Sequence, residues 1–108
     1  MKSSEAFFEF DIRIGTIIQA ETVPEARKPA YKLTIDFGEF GIKKSSAQIT
    51  ELYSTESLKG KQIIAVINFP PKQIGNFISE CLVLGVYTES GVVLLQPDQS
   101  VTNGSKIG

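Results

Sequence analysis

The 108-residue sequence contains no histidine. That absence removes the commonest general base, the commonest metal ligand and the side chain that titrates near neutral pH. Cysteine occurs once, as Cys81, which excludes an intrachain disulfide and a cysteine-based zinc site. Within the run ECLVLGVY, Cys81 reads as a small buried hydrophobe rather than a reactive thiol. No apolar run approaches the roughly 20 residues that cross a bilayer, and MKSSEAFFEF lacks the apolar stretch of a signal peptide. The expected localisation is cytoplasmic. A surplus of one charge is also missing, since 11 Lys and Arg stand against 12 Asp and Glu for a net charge of -1. Duplex nucleic-acid binders are usually far more basic, because phosphate affinity rests on counterion release. Any polyanion site here must be a local patch.

What is present is ordinary globular composition, 42% hydrophobic and 21% charged, at the length of a single domain spanning residues 1–108. From Phe8 the residues alternate: Phe8, Phe10, Ile12, Ile14, Thr16, Ile18 and Ala20 share one face, with Glu9, Asp11, Arg13 and Gln19 on the other. Period two marks a half-buried strand, and Gly15 suggests a bend or bulge in it. TVPEARKPAY reads as a loop. Tyr31, Leu33, Ile35 and Phe37 then alternate with Lys32, Thr34 and Asp36 as a second strand, and a short third runs from Ile42 to about Ser45. QIIAVINF and CLVLGVYT are denser runs, expected in the closed part of a sheet. The turn ESG joins the second of them to VVLL as a hairpin. Val101 and Ile107 suggest that part of the tail packs.

KKSSAQITELY, residues 43–53, separates the strands. Ser45 and Gln48 match a capping box, and Ile49, Leu52 and Tyr53 have helical spacing; STESLKG adds a further short turn. The order is therefore three strands, a short helix and two strands, with extra terminal elements. That is an all-β, five-stranded Greek-key barrel, the OB-fold.

Catalysis finds few parts. Lys43 or Lys44 beside Ser45 or Ser46 could form a Ser–Lys dyad, but adjacent lysines on a polar segment stay solvated and charged, and a capping serine explains the same residues. No carboxylate pair stands in an acid/base motif, and DFGEFGIKKSS lacks the spacing of a phosphate loop. The chain is expected to be no enzyme and to use no cofactor or metal.

Binding has more to build on. Arg27, Lys28, Lys32, Lys43 and Lys44 would edge one surface if the second and third strands pair. Tyr31, Phe37, Phe40, Phe69 and Phe77 interleave with them, and aromatics beside basic groups hold single strands on OB-folds. Phe37 is in phase with the core; Phe40 and Phe77 could serve either the core or a ligand. In INFPPKQIGNFISE, the residues Asn68, Lys72, Asn76, Ser79 and Glu80 supply donors and acceptors around a stiff loop.

FDIRIGTIIQAE, YKLTIDFG, LKGKQIIAVINF and SECLVLG together resemble the tRNA-binding domain family, OB-fold modules that stand free or are joined to aminoacyl-tRNA synthetases. ARKPAYKL and KSSAQITELY are similar to its free-standing bacterial members described as protein-export chaperones. The resemblance implies a homodimer, with residues before and after the barrel core in its interface. It also implies affinity for tRNA-like structures or for unfolded polypeptides and preproteins. The family's ligand-facing pattern maps onto Asn68 and Ser79, but its basic cluster is thinned to Lys72, and its Gly-Met is Cys81-Leu82 here. The leading expectation is an ATP-independent chaperone, since no nucleotide motif is present. The alternative is a tRNA- or structured-RNA-binding module. The residues expected at the shared site are Arg27, Lys28, Lys32, Phe40, Lys43, Lys44, Ser45, Asn68, Lys72, Phe77, Ser79 and Glu80.

Overall fold

The computed structural model describes residues 1–24 and 27–108. A four-residue helix, α1 (Ser4–Phe7), precedes the long strand β1 (Ile12–Thr22). Then follow β2 (Tyr31–Asp36), a 3-10 turn (Gly38–Phe40), β3 (Ile42–Ala47), the short α2 (Thr55–Leu58) and β4 (Gln62–Val66). The hairpin β5 (Lys72–Ile74) and β6 (Phe77–Ser79), the short β7 (Leu82–Val83), and the hairpin β8 (Gly85–Thr88) and β9 (Gly91–Leu94) complete the chain. Positions 25–26 of the expected loop between β1 and β2 lie outside the described residues.

Five antiparallel strands form one sheet in the order β3-β2-β1-β4-β7. It nearly closes on itself where the chain after β6 meets the free edge of β3. There the Glu80 N–H donates to the Lys44 carbonyl at 2.7 Å, and the Lys44 N–H donates to Glu80 Oε1 at 3.0 Å. The expected OB-type barrel is therefore present. Ile17, Leu33, Ile35, Phe37, Leu58 and Ile63 are fully buried inside it, and burying one such side chain stabilises the fold by about 1.5–3 kcal/mol. The alternation read from Tyr31 to Phe37 holds, since Tyr31, Leu33 and Ile35 of β2 and Phe37 just after it are buried.

β1 departs from the expectation twice. It begins at Ile12, where β4 supplies its last partner in Val66. Upstream, Ser3 caps α1 by accepting from the Ala6 N–H, and turn hydrogen bonds such as Phe10 N–H to the Phe7 carbonyl keep the chain coiled. Phe8 and Phe10 consequently stand exposed rather than in the strand. The register then shifts between Ile17 and Gln19 as β1 passes from β4 to β2. That bulge, two residues beyond Gly15, turns Ile17 inward and leaves Ile18 outside. Gly15 serves a different end: a Cβ there would sit 2.6 Å from Ile35 Cγ2 and 2.7 Å from the Phe37 ring.

The helix also lies elsewhere than the first capping-box match suggested. Ser45 is a β3 residue facing the barrel interior, opposite Leu33. The true capping box is Ser54 with Ser57, opening α2, so STESLKG forms the helix and residues 48–53 connect it to β3. The two serine patterns are alike locally; β3 claims the first because β2 offers it a full ladder from Ile42 to Ala47.

CLVLGVYT, expected in the closed sheet, is divided. β7 joins the barrel beside β4, while β8 pairs only with β9 as a separate two-stranded sheet. The tail lies against β1 through its backbone, while Val101 stays exposed: Ile14 N–H donates to the Ser105 carbonyl, and Gly104 and Ile107 N–H donate to the carbonyls of Ile14 and Ile12. It lies along the part of β1 that β2 does not reach. Among the described residues no helix is long and apolar enough to cross a membrane.

Candidate ligand-binding groove

β3 contributes its even-numbered backbone groups to the outer edge of the barrel. Lys44 N–H and C=O meet Glu80 there, and the Ser46 N–H donates to Ser79 Oγ at 3.1 Å. Beyond Ser46 the two hairpins diverge from this edge, β5–β6 on one side and β8–β9 on the other. Between them opens a cavity of about 450 Å³, floored by Ala47, Ile49, Val83 and Leu94 and bounded by Lys72, Ser79 and Tyr87. Two further hollows continue it. One of about 420 Å³ runs to Arg27 and Lys28 past Gln73 and Ile74. The other, about 360 Å³, runs between Lys28, Glu51 and the β8–β9 hairpin. Gln48 lines all three. The result is a branched groove with an apolar floor and one basic arm.

Of the residues expected at the site, Arg27, Lys28, Lys72 and Ser79 come together in this groove. Lys32, Lys44, Ser45, Phe77 and Glu80 do not line it; Lys32, Lys44 and Ser45 belong to the neighbouring β2 and β3, and Phe77 and Glu80 to β6 and the residue that follows it. Lys32 Nζ lies 3.2 Å from Glu21 Oε2 and 5.4 Å from the centroid of the buried Phe77 ring, so its charge is partly offset on the protein itself. Lys44 Nζ is 3.4 Å from Thr34 Oγ1, and Lys43 is half-buried opposite Ile35. Ser45 is buried, and its hydroxyl donates to the Cys81 carbonyl at 2.9 Å; it braces the barrel seam and does not cap a helix.

Phe40 and Asn68 lie elsewhere. Phe40 packs against the core beneath the Arg13 guanidinium, 4.2 Å from its ring centroid. Asn68 ties down the chain before β1: its Oδ1 accepts from the Asp11 N–H and its Nδ2 donates to the Glu9 carbonyl, both at 2.9 Å.

Gln48, matched above to a capping box, and Tyr87 also line the groove, though neither is among the residues expected there. Tyr87 is 91% exposed. A signal for it existed, because an isolated two-stranded hairpin cannot bury both its faces and VYTESGVVLL is apolar on both. Gln48 gave no such signal; its place depends on where the hairpins diverge.

Cys81 lines the floor as a buried thiol. Burial, the main cause, pushes its pKa up from 9.0 to about 11; a hydrogen bond with Ser45 works the other way. Its stabilising contribution is whole below pH 9 and is lost as pH rises toward 11, since the unfolded chain then releases a proton that the folded chain holds. At pH 8, alkylation by iodoacetamide is expected to be at least about tenfold slower in the native protein than in urea. Equal rates in the two states would show the thiol to be open.

Among the described residues no cluster of three or more Cys, Asp or Glu side chains is placed to hold a metal. The lining offers cations, one thiol, amides and apolar surface: it is equipped to hold a ligand.

Residues 12–106 match the model of the tRNA binding domain family. The structure superposes on a chaperone CsaA from Bacillus anthracis with a TM-score of 0.93 and 55% identity, covering 100% of this chain and 99% of the other. A CsaA chaperone protein from Picrophilus torridus gives a TM-score of 0.95 and 54% identity over 100% of both chains. The methionine–tRNA ligase of Methanococcoides burtonii is 35% identical over 102 residues, which cover 94% of this chain and 15% of the ligase. The chain thus spans a small part of that relative.

Proposed function

The chain belongs to the tRNA binding domain family, and on that premise we propose that it is a chaperone, binding unfolded or export-destined polypeptides in the cytoplasm without ATP. The observation that carries this reading is the groove itself. An apolar floor wide enough for side chains, an exposed tyrosine at its lip and few uncommitted cations suit a polypeptide better than a phosphate chain. The near-neutral net charge agrees. The two similar chaperone structures support it further. Independence from ATP rests on the missing nucleotide motif, and the groove's lining favours binding over catalysis.

The working form is a homodimer. Phe8 and Phe10 from the segment before the barrel stand exposed with Phe69, whose ring lies 5.7 Å from that of Phe10. An exposed aromatic cluster of this kind marks an association surface. Two grooves on one particle would raise a modest single-site affinity through avidity.

A second reading, an RNA-binding module, is favoured by Arg27, Lys28 and Lys72 around the basic arm and by the family's description. One titration separates the two. A reduced, carboxymethylated and fluorescently labelled polypeptide is bound at near-physiological salt, and unlabelled tRNA is added. Polypeptide binding is expected, with Tyr87→Ala weakening it about tenfold, the size of an aromatic hot spot, while the melting temperature stays put. Sedimentation of the same samples should give twice the chain mass. Absence of polypeptide binding, together with tight, salt-dependent tRNA binding, would replace the chaperone reading with the RNA one.

A further inference from the structure

Along the outer edge of β3, alternate backbone groups are paired as far as Ser46: Lys44 with Glu80, then Ser46 N–H with Ser79 Oγ. Gln48 comes next in that series. Among the described residues neither its N–H nor its C=O has a hydrogen-bond partner, and its side-chain amide has none either. On both sides the chain is anchored, with Ala47 paired to Tyr31 and buried, and Ile49 buried. A strand edge thus runs out of partners among the described residues at the junction of three hollows, on backbone that the core holds still.

We infer that this open end of the β3 edge receives a client polypeptide as an added strand, its main chain pairing with the Gln48 N–H and C=O. The inference rests on the polypeptide reading and specifies its mode. Unpaired backbone groups on a strand edge are a template for another extended chain, and main-chain pairing with pockets for alternate side chains is a known form of recognition. The chain's own Glu80 N–H already pairs with this edge at the Lys44 carbonyl, while the side chains of Glu80 and Ser79 serve the N–H groups of Lys44 and Ser46. An added strand alternates its side chains, so every second one would drop toward Ala47, Val83 and Leu94, while the others point to solvent or toward Lys28. Such pairing is blind to side-chain identity, as a protein with many clients requires. A nucleic-acid strand does not carry the alternating N–H and C=O groups that such a strand edge pairs with.

The probe is a blocked, fluorescently labelled decapeptide alternating Val or Leu with Ser or Thr, read by anisotropy. Two versions carry N-methyl groups on alternate residues in opposite phases, each removing donors from one edge of the peptide. One phase is expected to weaken binding at least about tenfold, the loss expected from about 1.4 kcal/mol of hydrogen bonding, and the other less than about twofold. Gln48→Pro, which deletes the N–H, should weaken binding of the unmodified peptide as much as the damaging phase does. Equal effects in the two phases, or a folded Gln48→Pro protein that binds like the parent, would overturn the strand-addition mode while leaving the polypeptide reading standing. Failure of the unmodified peptide to bind at millimolar concentration would take down the reading and the inference together. If Gln48→Pro does not fold, as judged by its melting curve, the two methylated peptides still decide the matter on the unaltered protein.

Discussion

Replacing Gly15 with alanine is expected to lower the melting temperature by about 10 °C or more, a loss of about 2–3 kcal/mol. The direction is informative, because alanine in place of glycine normally stabilises where the backbone permits it by reducing the freedom of the unfolded chain. Gly15 is absent from the glycines with positive φ, so its backbone accepts an L residue and the only obstacle is space. The added methyl would meet Ile35 Cγ2 at 2.6 Å and Phe37 ring carbons at 2.7 Å, both from fully buried side chains. Interiors are packed like crystals, and a methyl forced into one pushes neighbours off their rotamers. Phe37→Leu in the same chain should recover part of the loss, because it removes the ring but not the Ile35 contact. Calorimetry on the two single variants and the double gives the coupling. A Gly15→Ala protein as stable as the parent would mean that β1 and β2 are not packed as described.

Arg13→Ala is expected to cost about 2 kcal/mol and to loosen the C-terminal segment first. The Arg13 side chain does three things at once. Its Nε donates to Asp11 Oδ1 at 2.6 Å, its Nη1 donates to the Gly104 carbonyl at 3.1 Å, and its guanidinium lies 4.2 Å from the Phe40 ring centroid. With most of the side chain shielded from water, its loss leaves the Gly104 carbonyl short of a donor and strips the cation from Phe40, each worth on the order of 1 kcal/mol. Arg13→Lys should keep the charge and recover less than half, since an ammonium has no planar fork to serve Asp11 and Gly104 together. Hydrogen exchange separates the tail from global unfolding: the Gly104 and Ile107 amides, which donate to β1, should lose protection before those of β2. Unchanged exchange at both positions would remove Arg13 as the clasp. It would place the burden on Asn103, whose Oδ1 accepts from Thr16 Oγ1 at 2.7 Å.

Arg13 also shows how far a pattern read along the chain can reach. It stood on the polar face of an alternating strand, and it does lie on the side of β1 away from the buried Ile12 and Ile14. Nothing in its neighbours announced that residues 103–107, some ninety positions later, would cover that side. Ser45 and Ser54 make the same point in another form. Each is followed by residues able to complete a cap, and only the presence of β2 alongside residues 42–47 decides that the first becomes strand and the second opens α2. Asn68 matched the family pattern in sequence, yet its amide is occupied with Glu9 and Asp11. By contrast Arg27, Lys28, Lys72 and Ser79 were named from charge and motif and do share one groove.

The sequence by itself determined the strand alternation of β2, the family, and the absence of histidine and paired cysteine chemistry, because each depends only on residue type and near-neighbour spacing. Where β1 changes partners, where β3's edge is left uncovered and which side chains line the opening were decided by tertiary structure alone. Those outcomes depend on hydrogen bonds between segments some thirty to ninety residues apart, and a backbone N–H carries no mark in the sequence of whether the fold will bring it a partner.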